Sequence, residues 1–204
     1  MRWAKHAKTI ADGHLPPLCL KAACSHAARG GNLEVLEWLH NTGCPSGNAL
    51  TMDVAAFGGH LEVVKWLHYH GCPWNNWSNP AEHSMEQEEI GVYDVFDSAV
   101  YGGHVEVLRW AREHGAPWVG DTMVYQVAAQ GGHLEVLQWL REQGCQWNNW
   151  TSAYAARGRQ LEVLQWVREN DRRGEAWNPS LVRNYVAGPR TQEVLTWLDQ
   201  RTDP

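Results

Sequence analysis

The sequence predicts an all-α solenoid built from stacked antiparallel helix pairs, and three observations carry that reading. A tryptophan-centred segment recurs: GGHLEVVKWLHYHGCPWNNW at 58–77 returns as GGHLEVLQWLREQGCQWNNW at 131–150. Self-similarity at a fixed period of a few tens of residues is the mark of a repeat architecture. Within a copy, apolar residues fall three and four apart, as Leu33, Leu36 and Leu39 do with Val35, which is helical spacing. Glycines stand where those helices must stop.

Weaker copies begin at Gly30 and Gly102, and degenerate ones at Gly158 and Gly188. The motif tryptophans are Trp38, Trp66, Trp110, Trp139, Trp166 and Trp197, separated by 28, 44, 29, 27 and 31 residues. The period is therefore about 28, with one insertion in the second gap. Each copy reads as two short helices. The first carries paired small residues (Ala27-Ala28, Ala55-Ala56, Ala128-Ala129, Ala155-Ala156), which let first helices approach closely. Gly58-Gly59 ends it, since glycine takes the left-handed conformation cheaply. The second helix starts at once with Glu62 in its first turn, facing the positive end of the helix dipole, and Gly71 ends it. Gly43, Gly115 and Gly144 do the same elsewhere.

The run Ala55-Ala56-Phe57-Gly58-Gly59-His60-Leu61-Glu62-Val63-Val64 resembles the ankyrin repeat, and the resemblance recurs six times over about residues 18–200. The GCPW ending is similar to short, Trp-rich ankyrin repeats of large DNA viruses of protists. The resemblance implies an ankyrin-repeat solenoid and a protein-binding module. Two departures stand out. The family's TPLH tetrapeptide is replaced by Leu50-Thr51-Met52-Asp53, and the loops between repeats are short: Gly43 to Leu50, Gly115 to Met123 and Gly144 to Trp150 are 7, 8 and 6 steps. The β-hairpin fingers of the family are therefore expected to be reduced.

The expected organisation is one repeat domain over 1–204. An N-terminal half-repeat cap spans 1–17, because Met1-Arg2-Trp3-Ala4-Lys5-His6 resembles the second helix Leu108-Arg109-Trp110-Ala111-Arg112-Glu113. Repeats follow at 18–45, 46–73, 93–117, 118–146 and 147–176, with an insertion at 74–92 and a C-terminal cap repeat at 177–204, whose last helix is polar as an exposed end requires.

Composition excludes several classes. With 17 Lys+Arg against 23 Asp+Glu the net charge is −6, which disfavours nucleic-acid binding through a basic field. Acidity is concentrated in 46–120, which holds 10 of the acidic and 3 of the basic residues. No apolar run reaches the ~18–20 residues of a membrane span, and the start lacks a signal-peptide core, so no membrane partner and an intracellular location are expected. Five cysteines, an odd number, argue against a closed disulfide framework, and all are expected as free thiols. Cys44, Cys72 and Cys145 align with Ala116, so that position reads as a small buried slot.

Eleven histidines invite a metal reading, but no C-x-x-C or histidine pair at ligand spacing supports one. His60, His104 and His133 share one motif position and read as structural, bonding across the helix turn. The motif tryptophans read as core, and Trp74, Trp118, Trp147 and Trp177 as packing between repeats. Asn75, Asn76, Asn148 and Asn149 read as helix caps. The glycine pairs lie between helices and not after strands, so they are no nucleotide fingerprint. Neither an active site nor a cofactor is expected.

The expected function is a non-catalytic scaffold that holds another protein on its concave face. In ankyrin proteins the residue after the Ala-Ala pair points out of that face. Here this ladder reads Arg29, Phe57, Tyr101, Gln130 and Arg157, with aromatics in the second and third repeats. Tyr93 stands eight residues before Tyr101, about two turns of helix. The insertion beside them carries Glu86, Glu88 and Glu89. An aromatic floor with an acidic rim suits a basic segment of the partner. The alternative is a self-assembling homo-oligomer.

Overall fold

The computed structural model describes residues 17–43, 47–74, 94–118, 123–186 and 192–200. Twelve helices and no strand lie among the described residues. This is the all-α ankyrin-repeat architecture of stacked helix pairs, without β-hairpin fingers in the described loops. The chain divides into two compact units, residues 1–99 with 106–117, and residues 100–105 with 118–204.

The first unit holds α1 (Pro17–Arg29), α2 (Leu33–Asn41), α3 (Ala49–Phe57), α4 (Leu61–Tyr69), the start of α5 (Val95–Gly102) and α6 (Val105–Glu113). The first helices α1 and α3 stack on each other, while α2 lies against α1 and α4 against α3. The alanine pairs make the stacking possible: Ala28, Ala55 and Ala56 are fully buried. A larger side chain at these contacts would force the helices apart. The second helices contribute the other layer of the core through Leu36, Leu39, Val63, Val64, Leu67, Val107 and Leu108.

The second unit repeats the scheme with α7 (Met123–Gly131), α8 (Leu134–Glu142), α9 (Trp150–Arg157), α10 (Leu161–Asn170), α11 (Pro179–Tyr185) and α12 (Gln192–Gln200). Here α9 packs between α7 and α11. Tyr125 is buried, and its hydroxyl donates to the Cys145 carbonyl at 3.1 Å. That bond ties a first helix to the loop after the next second helix.

Helix boundaries follow local chemistry. Asn48 and Thr51 form a reciprocal capping box at the start of α3. Asn178 accepts from Leu181 N at 2.9 Å, with Pro179 just inside α11. Of the expected caps in 148–149, the side chain that works is Asn148, which accepts from Trp150 N at 3.0 Å; Asn149 makes no cap bond. Asn75 and Asn76 lie outside the described residues.

Cys24, Cys72 and Cys145 are free and buried, and Ala116 is buried at the position aligned with the last two. The aligned position is thus the small buried slot that the Cys/Ala exchange implies. Cys72 Sγ donates to the Asn48 carbonyl at 3.0 Å, and burial, with Asp53 nearby, pushes its thiol up to about 12. Such a thiol is inert at neutral pH. Cys44 and the Cys19 side chain lie outside the described residues.

The tryptophan expectation needs correcting. Trp139 and Trp197 are core, but Trp66, Trp110 and Trp166 are half-buried and Trp38 is exposed. The motif Trp sits beside the apolar stripe rather than on it, so its burial depends on what the neighbouring repeat supplies. The expected helix around Trp3 lies outside the described residues.

Candidate functional site

All five ladder residues lie in the last turn of a first helix, and all are exposed: Arg29 and Phe57 in the first unit, Tyr101, Gln130 and Arg157 in the second. Three of the exposed side chains sit on anchored backbone. His60 Nε2 donates to the Arg29 carbonyl at 2.9 Å, and His133 Nε2 donates to the Tyr101 carbonyl at 3.1 Å. In the degenerate repeat Gln160 takes over, with Nε2 donating to the Gln130 carbonyl at 3.3 Å. At positions 60 and 133 the motif histidine thus bonds to the preceding repeat and not across its own turn. Sequence periodicity shows that the position is polar, but it cannot show that the acceptor is a main-chain carbonyl 31 residues earlier.

This bond also explains the second glycine of the pair. Gly31 has φ +70°, and a Cβ there would stand 2.6 Å from the His60 ring. Only glycine satisfies both the backbone angle and the approach. In the degenerate repeat Arg159 occupies this turn at φ 60°, where no glycine is available. His60→Ala and His133→Ala are each expected to cost about 1 kcal/mol, the net worth of one hydrogen bond. Chemical denaturation of the two variants measures it, and unchanged midpoints for both would show that the bond is idle.

Tyr93, Glu86, Glu88 and Glu89, the other expected site residues, lie outside the described residues.

A second recurrent feature joins the packing expected of Trp74, Trp118, Trp147 and Trp177 to a basic residue that the sequence reading did not single out. The tryptophan that follows one second helix packs on the motif tryptophan of the next second helix. In the first unit Trp74 and Trp110 have ring centroids 5.7 Å apart. In the second unit Trp118–Trp139, Trp147–Trp166 and Trp177–Trp197 stand at 5.5, 5.6 and 5.8 Å. Each reaches from a loop onto the helix that comes next, so by the expected boundaries Trp118, Trp147 and Trp177 pack within their own repeat rather than between repeats. Two residues after each motif tryptophan from Trp38 to Trp166 stands a basic residue: His40, His68, Arg112, Arg141 and Arg168. It lies in the last turn of the second helix, where the charge of Arg112, Arg141 and Arg168 suits the helix dipole. It also stacks on the tryptophans. His68 lies 4.6 Å from Trp74, and the Arg141 guanidinium lies 4.0 Å above Trp147. Arg168 lies 5.7 and 5.8 Å from Trp177 and Trp197. The signal was present in the sequence as a basic residue at one motif position, but its meaning depends on a partner ring in the loop or the next repeat.

In the first unit this edge is rich in imidazole. His70 and His114 each donate Nδ1–H to the carbonyl of the tryptophan four residues earlier, at 2.7 and 2.8 Å, and stack on its ring. Burial first, and the facing His114 second, hold the His68 imidazole below its ordinary value. No group of three or more potential metal ligands occurs among the described residues.

An acidic set in the same unit is unusual for a different reason. Asp53, in α3, has a buried Oδ1 without a hydrogen-bond partner. Burial, then the nearby Asp94 and Asp97, push its carboxyl up to about 8. Asp94 is itself raised, mainly by burial, although it accepts from Asp97 N at 2.9 Å.

Among the described residues no helix is long and apolar enough to cross a membrane. No curated protein matches the chain. Residues 96–141 match the family model for ankyrin repeats (many copies). They run from α5 through most of α8, and so carry the Gly-Gly-His and Leu-Glu-Val elements described above. The matched segment is ankyrin-repeat sequence, and the stack of helix pairs that it belongs to has the all-α ankyrin-repeat fold.

Proposed function

We propose that this chain is a non-catalytic scaffold that acts inside a cell and binds a partner protein through its ladder residues. Ankyrin repeats are in general protein–protein interaction modules. Phe57 of the second repeat and Tyr101 of the third are the aromatic anchors, and Arg29, Gln130 and Arg157 are the polar ones. Tyr93 and the insertion glutamates Glu86, Glu88 and Glu89 complete the site and favour a basic partner segment.

The observation that carries this reading is the pairing of exposed side chain with tethered carbonyl at Arg29, Tyr101 and Gln130. A rigid backbone that presents a replaceable side chain lowers the ordering cost of binding. Aromatic and arginine side chains are also the residue types that dominate binding energy.

The test begins with affinity capture to identify the partner, followed by titration of the purified pair. Phe57→Ala and Tyr101→Ala are each expected to weaken binding by more than about 1 kcal/mol. Reversing the charges of Glu86, Glu88 and Glu89 together should slow association and flatten its salt dependence. A partner that binds all of these variants as it binds the parent would place the site elsewhere.

The same reading assigns 1–17 as a half-repeat cap, 18–45, 46–73, 93–117, 118–146 and 147–176 as repeats, and 177–204 as the closing cap repeat. The Trp–Trp contacts favour this division. Trp118, Trp147 and Trp177 each open an assigned repeat and pack on that repeat's own motif tryptophan.

A further inference from the structure

The Trp–basic edge of the second unit opens into a cleft of about 510 Å³ between the loop after α8 and the loop after α10. Its floor is well packed. Trp147 is buried, with Tyr125 on one side (centroids 6.2 Å), Trp166 on another and the Arg141 guanidinium over its face. Arg141, Arg172, Arg173, Asp171 and Glu175 supply the charge.

The two acids are already engaged. Asp171 Oδ1 accepts from Glu175 N at 3.0 Å, and its Oδ2 accepts from Ala176 N and Trp177 N at 2.8 and 2.6 Å. Burial alone would raise this carboxyl, and the backbone donors pull it below the ordinary carboxylate range. Asp171 is thus the organiser of the 171–177 loop, and its lone pairs point into that loop. Glu175 pairs with Arg173 at 3.7 Å. Two guanidinium groups remain, Arg141 and Arg172, and neither joins any of the ion pairs found among the described residues.

Arginine offers a planar fork of donors that matches the two oxygens of a carboxylate or phosphate. A guanidinium already stacked on a buried ring has lost much of its rotational freedom before any ligand arrives, so little further entropy is spent on binding. The neighbouring Trp166 is half-buried and offers apolar surface to a residue flanking the anion.

We propose that this cleft is a second binding site, which takes an oxyanion-bearing side chain from an acidic segment of a partner protein. Arg141 and Arg172 clamp the oxyanion, and Trp166 receives the adjoining apolar residue. The site is chemically opposite to the ladder, where the expected partner segment is basic. It stands on its own geometry, so Phe57→Ala leaves it intact.

The test uses the full chain and two synthetic peptides, one rich in glutamate around a central leucine and the other with phosphoserine replacing the glutamates. Inorganic phosphate and a single-stranded oligonucleotide are titrated alongside them. Tryptophan fluorescence reports binding, because Trp147 and Trp166 line the cleft. At low salt at least one peptide is expected to saturate below about 1 mM, a weak but specific affinity. Arg172→Ala, a change at an exposed loop residue, should weaken it tenfold or more. Arg141→Lys, which keeps the charge but loses the fork, should weaken it several-fold. Arg173→Ala should have little effect, since that charge is already paired. Saturation by the glutamate peptide identifies a carboxylate as the natural oxyanion, and saturation by the phosphopeptide alone identifies a phosphate. The proposal is overturned if neither peptide saturates, if both arginine variants bind like the parent, or if the oligonucleotide outcompetes the peptides.

Discussion

Replacing Asp53 by Asn is expected to stabilise the protein at pH 8 by several kcal/mol while changing little at pH 4. The Asp53 carboxyl is pushed up to about 8 from an ordinary value of 3.8, by burial first and by Asp94 and Asp97 second. Between those two values the folded chain keeps a proton that the unfolded chain has released. The stability this proton confers is complete below about pH 4 and drains away as pH rises toward 8. A tenfold difference in proton affinity is worth about 1.4 kcal/mol, so the upper limit is about 5 kcal/mol, and relaxation of the site brings the expected gain nearer 3. Asparagine has the same shape and no proton to lose, so the variant escapes this penalty. The measurement is a denaturant titration of both proteins at pH 4, 6 and 8, read as the difference between them, which cancels other titrating groups such as His68. Asp94→Asn should shrink the same difference by removing one of the repelling charges. A difference that does not grow with pH would mean that Asp53 ionises in the folded state without cost.

Deleting residues 1–12 is expected to lower the melting temperature by about 5 °C, which for a chain of this size corresponds to roughly 2 kcal/mol. The reason lies in α2. Val63, Val107, Val136 and Val163 occupy one position in successive second helices and are 0–1% exposed, whereas Val35 at the same position is 45% exposed. Trp38 is 49% exposed, while Trp139 is 2%. The outer face of α2 therefore lacks, among the described residues, the neighbour that its counterparts have. The segment before α1 has the right sequence and the right spacing to supply one. The step from a motif tryptophan to the start of the next first helix is 11, 13, 11 or 13 residues after Trp38, Trp110, Trp139 and Trp166, and it is 14 from Trp3 to Pro17. Covering half of a valine and half of a tryptophan is worth about 2 kcal/mol at ordinary transfer values. Trp3→Ala should reproduce most of the loss. If both variants melt like the parent, the face is covered by something else. A mass that doubles with concentration in the parent would then identify a second copy.

Much of this fold is legible in the sequence because its determinants are local. Glycines mark the helix ends, alanine pairs mark the close contacts, and the Cys/Ala exchange at 72, 116 and 145 marks a slot too small for a larger group. What is not legible depends on a partner at a distance. The exposure of Trp38 and the burial of Trp139 come from identical motif positions and differ only in the flanking repeat. Thr51 and Asp53 are the two polar side chains of α3, and nothing in their spacing shows that the stack leaves the Asp53 Oδ1 buried without a partner. The ladder residues were identifiable as a position, and all five are exposed, but the carbonyl tethers behind Arg29, Tyr101 and Gln130 were not. The Arg141–Trp147 stack needed the loop geometry to be seen at all.

The bonds from His60, His133 and Gln160 end on main-chain oxygens, and every amino acid has one. A point mutation at Arg29, Tyr101 or Gln130 therefore alters the chemistry offered to a partner and leaves the tether that holds the position in place. Variation in recognition is uncoupled from the risk of misfolding at these sites. A lineage can sample new binding specificities by single substitutions there, while the tethering histidine or glutamine and the glycine behind it stay constant.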